Sequence, residues 1–230
     1  MKKLMFLILA VCLILTGCKS STPEATVQSE LQAQTAPAQT EPQVQTEPAA
    51  TIYPLPDTTF DNLTDGILSV SLEEGGAYVD DTGKMQMDLK IYTYDRYDMV
   101  DISMLKVGDT LVTHTGEVKV TALEQDANGT IRVNGGLEEN GMDLVTDDSG
   151  VFYESGYNDH KNWYEVGTAT IRVSADFEGS DNADPELGEV ILYPGSFLIG
   201  EVTNYDFTPY NTTVRLEGGQ IIEMNRRFIP

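Results

Sequence analysis

Basic residues are scarce in this chain: 14 Lys and Arg stand against 37 Asp and Glu, a formal net charge of −23 over 230 residues. Nucleic-acid binding needs clustered cations on the phosphates, so this balance excludes it as a partner class. It also excludes the polybasic patch that holds proteins on anionic lipid surfaces. Cysteine is nearly absent, with Cys12 and Cys18 alone, and there are two histidines (His114 and His160) and one tryptophan, Trp163. The chain lacks a Gly-x-Ser-x-Gly elbow, a His-Glu-x-x-His pair, a phosphate-cradling glycine loop and a dinucleotide fingerprint. Hydrophobic residues at 40% nevertheless suffice for a packed core, which excludes a wholly disordered protein.

The longest apolar run sits at the N-terminus. Lys2 and Lys3 precede an almost unbroken apolar stretch over residues 4–15. That run is too short to span a bilayer, which needs about 20 residues, and has the length of a signal-peptide core. It closes on Leu15-Thr16-Gly17-Cys18, which resembles the lipobox of bacterial lipoproteins. The resemblance implies that residues 1–17 are a signal peptide and that Cys18 carries a palmitate-type lipid as the first residue of the mature chain. It also implies attachment to the extracytoplasmic face of the cell membrane through that lipid. Cys12 then leaves with the signal and Cys18 is consumed by the lipid. Disulfides, thiol nucleophiles and cysteine-held zinc are thereby excluded from the mature protein. The rival readings are an ordinary secretory signal and an uncleaved anchor.

Residues 18–55 are built of Pro, Gln, Thr, Ala, Ser and Glu, with recurrent QTEP and QTAP pieces and no aromatic residue before Tyr53. Such a segment has no apolar face with which to offset ordering entropy, so it reads as a disordered, polyproline-prone tether. Residues 56–230 read as an extracytoplasmic β-domain, one body or two small subdomains. Residues 84–94 alternate, placing Met85, Met87, Leu89, Ile91 and Thr93 on one face, and residues 67–72 alternate likewise. Residues 118–123 and 130–133 flank Asp126-Ala127-Asn128-Gly129, a hairpin signal. Residues 168–173 and 189–193 predict further strands, and Glu217-Gly218-Gly219 joins a C-terminal hairpin. Only residues 98–105 predict a helix, of one or two turns, capped by Asp98. The expectation is an all-β antiparallel sandwich or barrel-like body with at most one short helix.

Two segments could carry chemistry. Residues 153–164 (YESGYNDHKNWY) concentrate Tyr153, Tyr157, His160, Trp163 and Tyr164 in a turn-rich stretch. Flat rings stack on sugar faces and polar neighbours bond hydroxyls, so these five are candidate glycan or cell-wall contacts. Alternatively, Trp163 and Tyr164 open the next strand and pack inward. Residues 176–186 (DFEGSDNADPE) offer Asp181, Asn182, Asp184 and Glu186 as oxygen ligands for calcium, without the spacing of an EF-hand. No other cofactor is implied, and His114 reads as a polar residue beside a turn.

Short pieces elsewhere resemble uncharacterised secreted β-proteins and lipoproteins of anaerobic bacteria. They are Leu105-Lys106-Val107-Gly108-Asp109-Thr110-Leu111, Val133-Asn134-Gly135-Gly136, Gly219-Gln220-Ile221-Ile222 and the closing Arg227-Phe228-Ile229-Pro230. That resemblance implies a β-fold and an exported address but no activity. The expected function is a non-enzymatic binding or structural role at the cell surface. A carbohydrate- or wall-binding module is the first alternative, and a hydrolase using a carboxylate pair is the second. Replacing Cys18→Ser should abolish incorporation of labelled palmitate into the protein in cells. Undiminished labelling of that variant would overturn the anchor.

Overall fold

A computed structural model describes residues 47–202 and 204–229, and of Asp159 the backbone alone. Cys18, the expected signal peptide and most of the expected tether lie outside these residues. The described part belongs to one compact unit beginning at Glu47. Its strands in chain order are β1 (Thr51–Ile52), β2 (Gly66–Val79), β3 (Met85–Thr93), β4 (Arg96–Tyr97), β5 (Thr110–Thr113), β6 (Gly116–Lys119) and β7 (Leu123–Gln125). They continue with β8 (Ile131–Val133), β9 (Met142–Thr146), β10 (Phe152–Ser155), β11 (Tyr164–Asn182), β12 (Val190–Leu192), β13 (Thr212–Glu217) and β14 (Gln220–Arg227). Helix α1 (Met99–Ser103) follows β4, and α2 (Pro194–Leu198) follows β12. Among the described residues, no helix is long and apolar enough to cross a membrane.

Five of these strands close a barrel. β2 pairs antiparallel with β3 and β3 with β11, β11 runs parallel to β14, and β14 and β2 each pair antiparallel with β13. Counted along the chain, the ring runs first, second, third, fifth, fourth and back to first, with α2 between the third and fourth strands. That is the strand order of an OB-type barrel. The all-β expectation therefore holds. The parallel β11–β14 pair and the second helix are additions that local patterns do not signal.

Closure depends on one long strand serving two neighbours. β11 matches β3 from Tyr164↔Thr93 to Arg172↔Gln86, then β14 from Arg172↔Gln220 to Asn182↔Arg227. β2 bends at Gly75-Gly76, where its register to β3 shifts. Gly75 sits at φ +81°, and a Cβ on Gly76 would meet Leu72 Cδ1 at 2.9 Å and the Glu73 carbonyl at 3.1 Å, so the bend requires both glycines. The alternating face of β3 is buried as the sequence indicates: Met85, Met87, Leu89, Ile91 and Thr93 all point inward. The four apolar ones fill the barrel core with Val70, Leu72, Ile221 and Met224, each fully buried aliphatic side chain contributing about 1.5–3 kcal/mol.

The chain between β3 and β11 builds a second core from Tyr97, Ile102, Leu111, Val133, Leu144 and Phe152. Its sheet runs β4-β10-β9-β8-β7, beside a smaller β1-β5-β6 sheet. Asp98 caps α1 as expected, accepting from the Val100 N–H at 2.7 Å. The hairpin at residues 126–129 forms, but the strand predicted over residues 118–123 is broken. There the Asn134 side chain accepts from the N–H groups of Thr121 and Ala122 and donates to the Lys119 carbonyl, taking over the ladder's bonds. Residues 50–52, expected in the tether, join this body instead. Ile52 is buried, β1 pairs with β5, and the buried Asp109 carboxylate accepts from the Ala50 and Lys106 N–H groups.

Asp181 and Asn182 end β11 opposite Arg226 and Arg227. Arg226 is 4% exposed. Its guanidinium donates to both Asp181 oxygens and to the Asn204 carbonyl, and lies 4.2 Å from the Phe207 ring centroid. Burial alone would raise the Asp181 pKa. The hydrogen bonds from Arg226 and the Ala183 N–H, with the guanidinium charge, outweigh burial and hold it below the usual carboxylate range. Arg226→Ala strands that carboxylate and should cost about 3–5 kcal/mol of unfolding free energy. Ile67→Ala, at a position 70% exposed, should stay within about 0.5 kcal/mol. Urea unfolding of the two variants checks both.

Candidate functional site

Three extended segments link the barrel to the second core. β3 continues through Tyr94 and Asp95 into β4, β10 lays Tyr153 opposite Arg96, and β11 begins with Tyr164 opposite Thr93. Successive side chains of extended chain point to opposite faces. The dipeptides Tyr94-Asp95, Tyr153-Glu154 and Trp163-Tyr164 therefore sort into two clusters, one on each side of the junction.

The first cluster is aromatic. Tyr94 packs edge-on against Tyr153 (centroids 5.6 Å apart) and Trp163 (4.9 Å). Lys161 enters this group and donates to the Tyr94 hydroxyl at 2.8 Å. Its ammonium lies 4.1 Å from the Tyr94 ring centroid, 5.3 Å from that of Tyr153 and 5.7 Å from that of Trp163. A backbone bridge between Ser155 and Lys161 fixes the stem of the loop that delivers it. A cation held over rings in this way contributes about 0.5–2 kcal/mol.

The second cluster is carboxylate, imidazole and phenol. Asp95 is 3% exposed. Its Oδ2 accepts from the His114 backbone N–H at 2.7 Å and lies 2.9 Å from His114 Nδ1, and its Oδ1 accepts from the Tyr164 hydroxyl at 3.3 Å. The His114 ring stacks on Tyr164 at 4.2 Å and 18°. Its side chain is 18% exposed although the turn backbone is open. Glu154 completes the group: ligating atoms of Asp95, His114 and Glu154 all lie within 4.8 Å of one another. Burial, then the charges of Asp95 and Asp57, push the Tyr164 phenol up to about 12. Burial, followed by the Asp95 charge, also lifts the Tyr97 phenol well above its ordinary value.

The five residues expected to bind glycan are thus divided. Tyr153 and Trp163 turn into the aromatic cluster, and Tyr164 joins Asp95 and His114. His160 packs edge-on against Tyr210 at 5.7 Å. Tyr157 stands 78% exposed on the loop, where Asn158 adopts φ 60°. Of the calcium candidates, Asp181 and Asp184 line one cavity with Arg226. Asp181 is bonded to Arg226, and Asp184 accepts from the Glu186 N–H within its own turn. Among the described residues, Asp95, His114 and Glu154 are the only His, Cys, Asp or Glu residues that converge in threes. Sequence reasoning missed Tyr94, Asp95, Glu154 and Lys161 and read His114 as a turn residue. The usable signal was the paired aromatic–acid steps Tyr94-Asp95 and Tyr153-Glu154, at strand ends.

No family model, curated protein or solved structure matches this chain. Because folding raises the Tyr164 pKa, the stability it confers is complete below pH about 10 and is lost as pH rises through about 12. Tyr164→Phe keeps the ring on His114 and should lose less stability over that window than the parent chain. Equal losses for the two chains in urea unfolding would contradict the assignment.

Proposed function

We propose that this chain is an exported, lipid-anchored β-domain that binds a cell-surface carbohydrate or wall polymer without turning it over. The observation that carries the reading is the exposed rim of the β10–β11 loop. Tyr157 stands free on it, and the ring pair of His160 and Tyr210 adjoins through the His160 N–H to Tyr157 carbonyl bond. Rings presented to solvent beside a polar imidazole suit the apolar face and hydroxyl edge of a sugar. At the stem of the same loop Lys161 bonds the Tyr94 hydroxyl, and Tyr94 packs on Trp163.

Fold-level analogy adds support of a weaker kind. OB-type barrels bind oligonucleotides and oligosaccharides, and the charge of −23 argues against the former. The lipobox-like Leu15-Thr16-Gly17-Cys18 supports the address. A hydrolase acting through Asp95 and Glu154 is the second reading, favoured by their proximity alone.

Trp163 is the single tryptophan of the chain, so its emission reports on this loop without labelling. A panel of wall-derived and plant glycans should include at least one ligand that saturates the emission change. Tyr157→Ala and Tyr210→Ala should each weaken that ligand about tenfold while leaving the melting midpoint in place. Silence across the panel would remove the glycan reading. Release of shortened products would replace it with the hydrolase.

A further inference from the structure

We infer that Asp95, His114 and Glu154 bind one first-row transition-metal dication of the zinc class, independently of the glycan reading. The three residues come from three separate elements, namely the β3–β4 link, the β5–β6 turn and β10, and their ligating atoms already lie within 4.8 Å of one another. The imidazole decides the chemistry. Calcium and magnesium take oxygen shells, whereas one imidazole with two carboxylates suits zinc and its neighbours.

Geometry and charge agree with this choice. His114 Nδ1 and Asp95 Oδ2 are 2.9 Å apart. A metal bonded to both at about 2.1 Å would see them at roughly 90°, a cis pair of ligands. The ion then takes the place of the proton held between them; in the neutral ring that proton moves to Nε2, so the imidazole binds through Nδ1 as its Nε2–H tautomer and nothing is oxidised or reduced. Asp95 is almost wholly buried, and among the described residues its only ion-pair partner is His114. With Glu154 alongside, two carboxylates face one imidazole, and a dication balances that charge where protonation of the ring alone would not.

The surroundings are also those of a held ligand set. Tyr164 stacks on the His114 ring and donates to Asp95 Oδ1, so one side chain orients both ligands from outside the coordination shell. The strongly acidic chain raises the local concentration of cations around it. Three protein ligands leave coordination positions open to water or to a hydroxyl-bearing partner.

The test is a calorimetric titration of the full chain with Zn²⁺ in mild detergent, carried in a Cys12→Ser, Cys18→Ser background so that no thiol competes. One equivalent should bind saturably and raise the melting midpoint. His114→Ala and Glu154→Gln should each weaken binding at least tenfold and cancel the rise, whereas His160→Ala should change neither. Should His114→Ala fail to fold, the near-isosteric Glu154→Gln decides alone. Absence of saturable binding, or an affinity that Glu154→Gln leaves intact, would overturn the site.

Discussion

The ladder between β3 and β11 is the constraint on which the rest of this structure depends. It joins residues about eighty positions apart in the chain, and it fixes the two ends of everything inserted between them. Because β11 outlasts β3, its second half is free to run parallel to β14 and so close the barrel. A shorter β11 would leave an open sheet whose edges needed other cover. The same ladder carries extended chain across the junction, and strict alternation along it separates Tyr94 from Asp95 and Trp163 from Tyr164. Two chemically unlike clusters thus arise from one geometric rule.

Each cluster also resolves a problem of burial. A carboxylate as deeply placed as Asp95 is costly unless its lone pairs are met, and the three contacts it makes come from His114 and Tyr164. Those partners sit on different elements, so meeting the cost ties the β5–β6 turn to the base of β11. Lys161 is the counterpart on the opposite face, where a loop residue is pinned among rings that belong to β10 and the two strand ends. The barrel repeats the device at its other end with Asp181 and Arg226. Ionisable groups thus join the apolar cores in setting how the connecting segments lie.

Local periodicity made much of the barrel legible. The alternation in residues 84–94 named the buried face of β3 correctly, and Asn128-Gly129 and Gly218-Gly219 marked real hairpins, the latter pair both at positive φ. What local patterns could not reveal were pairings at long range. The parallel match of β11 to β14, the docking of β1 on β5 and the intrusion of Asn134 between β6 and β7 are each settled by partners far away in sequence. The candidate site failed to appear for the same reason. Asp95 and Tyr164 lie 69 residues apart, and Asp95 and His114 19 apart, with no spacing that local chemistry would single out. The aromatic loop was visible as composition, but which rings turned inward depended on alternation along β10 and at the start of β11, and on contacts with Tyr94 far away in sequence.

That division of the loop narrows what a ligand could touch. The Lys161 ammonium lies over the Tyr94 ring, and Tyr94 and Trp163 meet edge to face, so a sugar ring stacking on that face of Tyr94 competes with Lys161. To open that face, Lys161 would have to leave both its phenol partner and the rings, giving up about 1–3 kcal/mol of combined hydrogen bond and cation–π attraction. Tyr157 and Tyr210 demand no such rearrangement, since both are exposed already. An uncharged glycan therefore meets the rim first. An anionic polymer faces the further obstacle of a chain carrying −23, and approaches closely only where a cation offsets that field. The cluster of Asp95, His114 and Glu154 lies on the opposite side of the same three strand ends, where a bound dication would lower the repulsion without occupying the rim.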